Sequence, residues 1–180
     1  MKYLEEDRPH ILRIVIVWVS NLLVVAVLAI FLTEVFGEQA VMNGSSMKDT
    51  IINGDRVLVD KMSYKVGAPE RFDIVLFECA DGSRSIKRII GLPGETVQIM
   101  DGDIYIDGEV LECDFISDIQ VAGRASDPIT LDEDSYFVLG DSPAFSEDSR
   151  FENIGDVKRS SIIGKVWFCI YPLKDIGTLQ

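Results

Sequence analysis

Between Ile14 and Thr33 the chain reads IVIVWVSNLLVVAVLAIFLT, an apolar run without a charged residue, bounded by Arg13 and Glu34. Twenty such residues in a helix rise about 30 Å, the thickness of a bilayer's hydrocarbon core. A helix lying on a soluble domain would carry a polar stripe, whereas only Ser20 and Asn21 interrupt this surface. A cleavable leader has a shorter apolar region ending in a small-x-small site, and the EVFGEQAV that follows offers only Glu38 and Ala40 as a poor pair. The pattern predicts an uncleaved transmembrane anchor over residues 14–36. Lys2, Arg8 and Arg13 precede it, so the positive-inside rule places residues 1–13 in the cytoplasm and residues 37–180 outside a plasma membrane crossed once.

Beyond the anchor the pattern changes to short runs rich in Val, Ile, Phe and Tyr: RVLVDK, FDIVLF, RSIKRII, TVQIM, DIYID, SYFVLG and SIIGKVWFCIY. Turn dipeptides at Asn53-Gly54, Asp81-Gly82, Asp101-Gly102 and Asp107-Gly108, and Leu92-Pro93-Gly94, separate them. No stretch of helical period and length follows the anchor. The predicted architecture is a mostly β, antiparallel domain over 37–180, joined to the membrane helix by a linker of the few residues around Phe36 to Gln39, and long enough for its own core.

Net charge is -13, most of it in the β domain, with a pI near 4.4. That balance excludes nucleic acid as a partner, because phosphate binding needs clustered Lys and Arg. His10 is the single histidine and sits ahead of the anchor, which excludes Ser/His/Asp and Cys/His hydrolysis and His-based zinc sites in the domain. Cys79, Cys113 and Cys169 fit no disulfide framework and no C-x-x-C spacing, so buried free thiols are expected. Asp101, Asp103, Asp107 and Glu112 have the density of a calcium loop, but Tyr105 and Ile106 stand where an oxygen ligand and the turn glycine belong, and a hairpin is the better reading. No metal or cofactor is expected.

Without histidine, a serine can still be activated by a neutral lysine, provided the amine is desolvated enough to lose its proton. Most lysines lie in polar or turn surroundings. Lys87 lies within SIKRIIGLPG among Ile86, Ile89 and Ile90, and by period-two alternation shares a face with Ser85 and Ile89. An edge strand protected by Lys87 and Arg88 accounts for the same residues, and GSSMKDT reads equally as a polar loop.

Four blocks in order, VMNGSSMKDTI, GDRVLVDK, RFDIVLFE with SIKRIIGLPGE, and VLGDSPAFSEDSRFENIG, resemble the motifs of bacterial single-span type I signal peptidases, as does the closing GKVWFCIYPLKDIGTL. The resemblance covers most of the chain from Val41 onward, and the anchor. It implies an antiparallel β fold and a membrane-bound serine endopeptidase that removes signal peptides from exported preproteins, cutting after small residues at -1 and -3. It implies Ser46 as nucleophile and Lys87 as general base, with the Ser46 backbone N–H as an oxyanion donor. Gly44 stands where some members offer a second donor hydroxyl, and Gly44 and Met47 flank the serine as substrate-binding positions. Ser146 matches the serine that orients the lysine amine, and Asp148, Arg150 and Arg88 match an ion-pair cluster beside it. The partners implied are exported preproteins, the lipid bilayer and the secretion translocon.

Two positions depart from the family pattern. Asp49 replaces the proline usual after S-M-x, and Asp141-Ser142-Pro143 replaces Asp-Asn-Arg, so one arginine contact is absent. These departures suggest a specialised paralogue of narrow substrate range. A Ser/Lys repressor-type autoprotease shares the dyad but carries a DNA-binding domain and no anchor. The alternative from another class is a non-catalytic assembly factor of the same fold, binding exported or surface-fibre proteins in its cleft.

Overall fold

The computed structural model describes residues 8–36, 38–116 and 119–179. Residues 1–7, and with them Lys2, lie outside that range. One unit ends at Gly37 and a second spans Glu38–Gln180. In the first, a single helix α1 (Arg8–Phe36) begins before the span expected from the sequence. Its segment Ile11–Phe31 has a mean hydropathy of 2.8 and is exposed all round, the surface of a helix whose solvent is lipid.

The second unit is β structure: β1 (Glu38–Val41), β2 (Arg56–Asp60), β3 (Ile74–Glu78), β4 (Arg84–Gly91), β5 (Thr96–Met100), β6 (Asp103–Ile106), β7 (Glu109–Val110), β8 (Ile129–Thr130), β9 (Ser135–Leu139), β10 (Val157–Lys158), β11 (Ile162–Tyr171) and β12 (Gly177–Thr178). Every pairing is antiparallel. The larger sheet has the order β1-β2-β11-β3-β4-β9-β10 with β12 added to β11; the smaller runs β7-β6-β5-β8. The seven runs read from the sequence each overlap one strand, namely β2, β3, β4, β5, β6, β9 and β11. Asp101-Gly102 and Asp107-Gly108 turn tightly with positive φ at both residues, the geometry that lets two residues join twisted strands.

β1 is the element the sequence hid. Glu38 and Gln39, expected in a linker, pair with Val59 and Leu58. Their side chains alternate half-buried and exposed, so no apolar alternation marks the strand.

The core follows the pleat. In β3, Ile74 and Leu76 enter one hydrophobic cluster, while Val75 and Phe77 enter another on the opposite face. Strand β9 behaves likewise, with Phe137 and Leu139 on one side and Tyr136 and Val138 on the other. β4 lies between β3 and β9, and Ile86, Ile89 and Ile90 each join a different one of the three clusters. The edge-strand reading of Lys87 and Arg88 is therefore excluded: both are buried within a central strand.

Candidate active site

Ser46 follows β1 in a tight turn, and Lys87 sits in mid-β4 with its Cα opposite Val75. The two are brought together with Lys87 Nζ donating to Ser46 Oγ at 2.7 Å. Only 4% of Lys87 and 7% of Ser46 are exposed, so little water reaches the contact. Burial is the main influence on the lysine and pushes its pKa below the ordinary value, because the apolar surroundings disfavour the ammonium form. The charges of Asp148, Cys79 and Glu147 oppose this shift, and Arg150 assists it. The assisting arginine is thus Arg150, and Arg88 is occupied elsewhere.

The expected cluster of Asp148, Arg150 and Arg88 divides into two buried pairs. Asp148 Oδ1 accepts from Arg150 Nε at 2.8 Å and Oδ2 from Nη2 at 3.0 Å. Arg88 forks onto Asp141, Nε to Oδ1 at 2.8 Å and Nη2 to Oδ2 at 2.7 Å, with Phe115 stacked 4.0 Å from the guanidinium. Ser146 is buried here too, and its hydroxyl donates to Asp148 Oδ2 at 2.6 Å. It is joined to the carboxylate that acts electrostatically on Lys87.

The turn carrying Ser46 is strapped to the segment after β9. Ser142 N–H donates to the Ser46 carbonyl at 2.9 Å, and Thr50 Oγ1 donates to Asp141 Oδ2 at 2.5 Å. Gly140 lies against the same carbonyl: a Cβ there would sit 2.5 Å from the Ser46 oxygen and closer still to Ser146 Oγ. Among the described residues no acceptor takes the Ser46 N–H, which leaves that donor available beside the hydroxyl.

A cavity of about 260 Å³ opens beside Ser46, walled by β1 residues such as Ala40 and Val41 and by Arg84, Ser85 and Ile86 of β4. These walls run in the same direction, since an even number of antiparallel steps separates β1 from β4 in the sheet. At one end they meet through Ser46 and Lys87, and at the other through Glu38 and Arg84, which are 2.7 Å apart. Strand β9 pairs with β4 only from Arg88 onward, so the Arg84–Lys87 edge is open along the groove, as is the outer edge of β1.

The model of the family described as signal peptidase, peptidase S26, matches residues 15–171. The chain belongs to this family. It is similar to a probable signal peptidase I-2 of Synechocystis, 32% identical over 167 residues that cover 89% of this chain and 75% of that one. Signal peptidase I of Leptolyngbya laminosa is 35% identical over 165 residues, 85% of this chain and 78% of that one, and the Bacillus caldolyticus enzyme 32% over 172 residues, 89% and 91%. A crystal structure of a signal peptidase I from Enterococcus faecalis aligns at 36% identity with a TM-score of 0.47, covering 56% of this chain and 97% of that chain. The protein is accordingly a serine peptidase that removes signal peptides, held to a membrane by its apolar N-terminal helix.

Two positions beside Ser46 were expected to bind substrate. Met47 is wholly buried in the cluster with Ile51, Val57 and Ile86, and its sulfur accepts from the Asp141 N–H at 3.5 Å. The turn that points Ser46 at the groove points the next side chain into the core. Gly44 is exposed with φ +92° and donates its N–H to Asn53 Oδ1 at 3.0 Å. Asp141, which sequence reasoning noted only as part of a departure, anchors Arg88, and Thr50 was not singled out at all. Both are ordinary polar residues until the fold places them opposite a buried guanidinium. The three cysteines are free thiols, Cys169 buried and the other two half-buried.

Proposed function

We propose that this membrane-bound endopeptidase cleaves signal peptides with Ser46 as nucleophile and Lys87 as general base. The observation that carries the reading is the 2.7 Å contact between Lys87 Nζ and Ser46 Oγ in a site from which water is nearly excluded. With Lys87 neutral, the serine hydroxyl donates to Nζ. Oγ attacks the carbonyl carbon of residue -1 as its proton passes to the amine, and the Ser46 N–H faces the oxygen that becomes negative. Lysine returns the proton to the departing amine of the mature chain, leaving an ester on Ser46. Water, giving its proton to the same lysine, then hydrolyses that ester, and the lysine returns the proton to the departing Ser46 Oγ.

The substrate lies extended between β1 and the open edge of β4, running in their direction so that residue -1 arrives at Ser46. Main-chain hydrogen bonds to two strand edges give affinity without sequence. The groove floor is made of Met42, Leu76 and Ile86, all buried, which leaves shallow recesses suited to small side chains at -1 and -3. In this arrangement residues 14–36 span the bilayer, residues 1–13 are cytoplasmic and residues 37–180 face outward, where preproteins emerge from the translocon.

The test is single-turnover cleavage of a preprotein by wild type, Ser46→Ala and Lys87→Ala, all in the full-length membrane form. Cleavage should vanish in both variants while each stays folded. Turnover by Ser46→Ala would refute the assignment, and equal cutting after Leu and Ala at -1 would refute the pocket reading.

A further inference from the structure

The end of the groove remote from Ser46 is closed by charge. Glu38 opens β1, Arg84 opens β4, and Arg84 Nη1 donates to Glu38 Oε1 at 2.7 Å, joining the two walls of the cavity. The other carboxylate oxygen of Glu38 is paired with Lys61. The two arms are unequally exposed, 57% for the Arg84 side chain against 17% for Glu38. Of the two cations on this carboxylate Arg84 is the more exposed, 57% against 41% for Lys61, and it is the one that lines the groove. The hydrogen bond from Lys61 outweighs partial burial and, with the charges of Lys61 and Arg84, holds the Glu38 carboxyl below its ordinary range, so the group stays ionised while the enzyme works.

We infer that Arg84, fixed by Glu38 across the groove, is a specificity residue that reads charge on the signal peptide at positions -4 and -5. The inference rests on the peptide path and dyad proposed above. Arg84 precedes Lys87 by three residues, roughly 10 Å of strand at about 3.3 Å per residue. A peptide in step with β4 that places residue -1 at the dyad therefore places -4 beside Arg84 and -5 at the rim. A carboxylate or a polar neutral side chain there meets an exposed guanidinium, whereas lysine or arginine meets a like charge. The site acts on the peptide upstream of the small-residue pockets and adds a filter they do not contain.

The experiment compares kcat/KM for preproteins that differ only in Glu, Gln or Lys at -4, and separately at -5, cleaved by the full-length enzyme. The wild type should prefer Glu over Lys by about two- to fivefold, the range of a solvent-exposed charge pair, and the ratio should shrink as salt is raised. Arg84→Gln should bring the ratio close to one and Arg84→Glu should invert it, while Glu38→Gln, which leaves the guanidinium uncompensated, should enlarge it. The ratio within each variant is the readout, so a general loss of rate from disturbing the wall does not decide the outcome. A wild-type ratio of one, or an unchanged ratio in both Arg84 variants, would overturn the inference while leaving the dyad intact. Cleavage surviving in Ser46→Ala would overturn both.

Discussion

Asp49 and Ser142, the residues standing at two departures from the family pattern, are bonded to each other: Ser142 Oγ donates to Asp49 Oδ2 at 2.5 Å. The carboxylate therefore faces the segment after β9 and closes a third strap between that segment and the nucleophile's turn. A proline would stiffen the turn through its own ring; here the turn is stiffened by a partner across the site. The two departures from the family pattern thus meet in a single contact.

Because the pair acts as a unit, Asp49→Ala and Ser142→Ala should each lower kcat/KM and the double variant should be little worse than either. A double-mutant cycle should give a coupling of about 0.5–3 kcal/mol. Additive losses in that cycle would show that the strap does not set the turn.

Activity should rise with pH as Lys87 loses its proton, with a midpoint below the ordinary lysine value of 10.5 because burial lowers it. Lys87→Arg keeps the charge but not the ability to deprotonate, so it should be as inactive as Lys87→Ala. Stability follows the same sign. Between the lowered folded value and 10.5 the unfolded chain binds the extra proton, so stability should climb with pH across that window, and Lys87→Met should abolish that climb. Denaturant midpoints against pH for the two proteins, beside the pH–rate profile, measure both effects.

Ser146 and Asp148 should separate kinetically. Ser146→Ala removes one hydrogen bond to a carboxylate, worth about 1.5–3 kcal/mol, and leaves the Asp148–Arg150 pair in place. Asp148→Ala strands the buried Arg150 guanidinium and should cost about 3–5 kcal/mol. Asp148→Asn keeps the shape but removes a charge that holds protons on Lys87, so the rising limb of its pH profile should move to lower pH. Thermal unfolding read beside that profile distinguishes the roles; an unmoved limb in a folded Asp148→Asn protein would refute the electrostatic link.

Gly140→Ala is the smallest change that should disable the site. The added methyl would overlap the Ser46 carbonyl and the Ser146 hydroxyl, and relieving the overlap pulls apart the strap that aims the nucleophile. Overpacking of this kind costs about 1–3 kcal/mol in stability, with the kinetic loss expected to exceed it. Wild-type kcat in this variant would contradict the close approach.

The long strands were legible because their apolar residues recur with the pleat, and the anchor because its residues have no polar face. Lys87 stood out for a related reason, an amine among isoleucines, although with Arg88 beside it the same run also read as an edge strand. β1 was not, since its Glu38 and Gln39 carry no apolar signal and its partner is fifteen or more residues away. Arg88 illustrates the limit for charges: Asp141 and Asp148 are equally plausible partners along the chain, and only the path of β9 and the loop beyond it decides for Asp141. Met47 shows the limit for turns, where no period tells which of two neighbouring side chains faces inward.

The unequal rooting of the two dyad members has a consequence for how activity is lost. Lys87 is carried by a strand whose isoleucines enter all three hydrophobic clusters, so its backbone amide can exchange with solvent only when the whole domain opens. Ser46 is carried by a turn that Met47 and Ile51 root in one of those clusters only and that a few hydrogen bonds tie to the segment after β9, so a smaller and more frequent opening should release it. Mild denaturant should therefore silence the enzyme before it unfolds it, with the bonded amides of Lys48, Thr50 and Ile51 becoming labile while those of residues 87–90 remain protected.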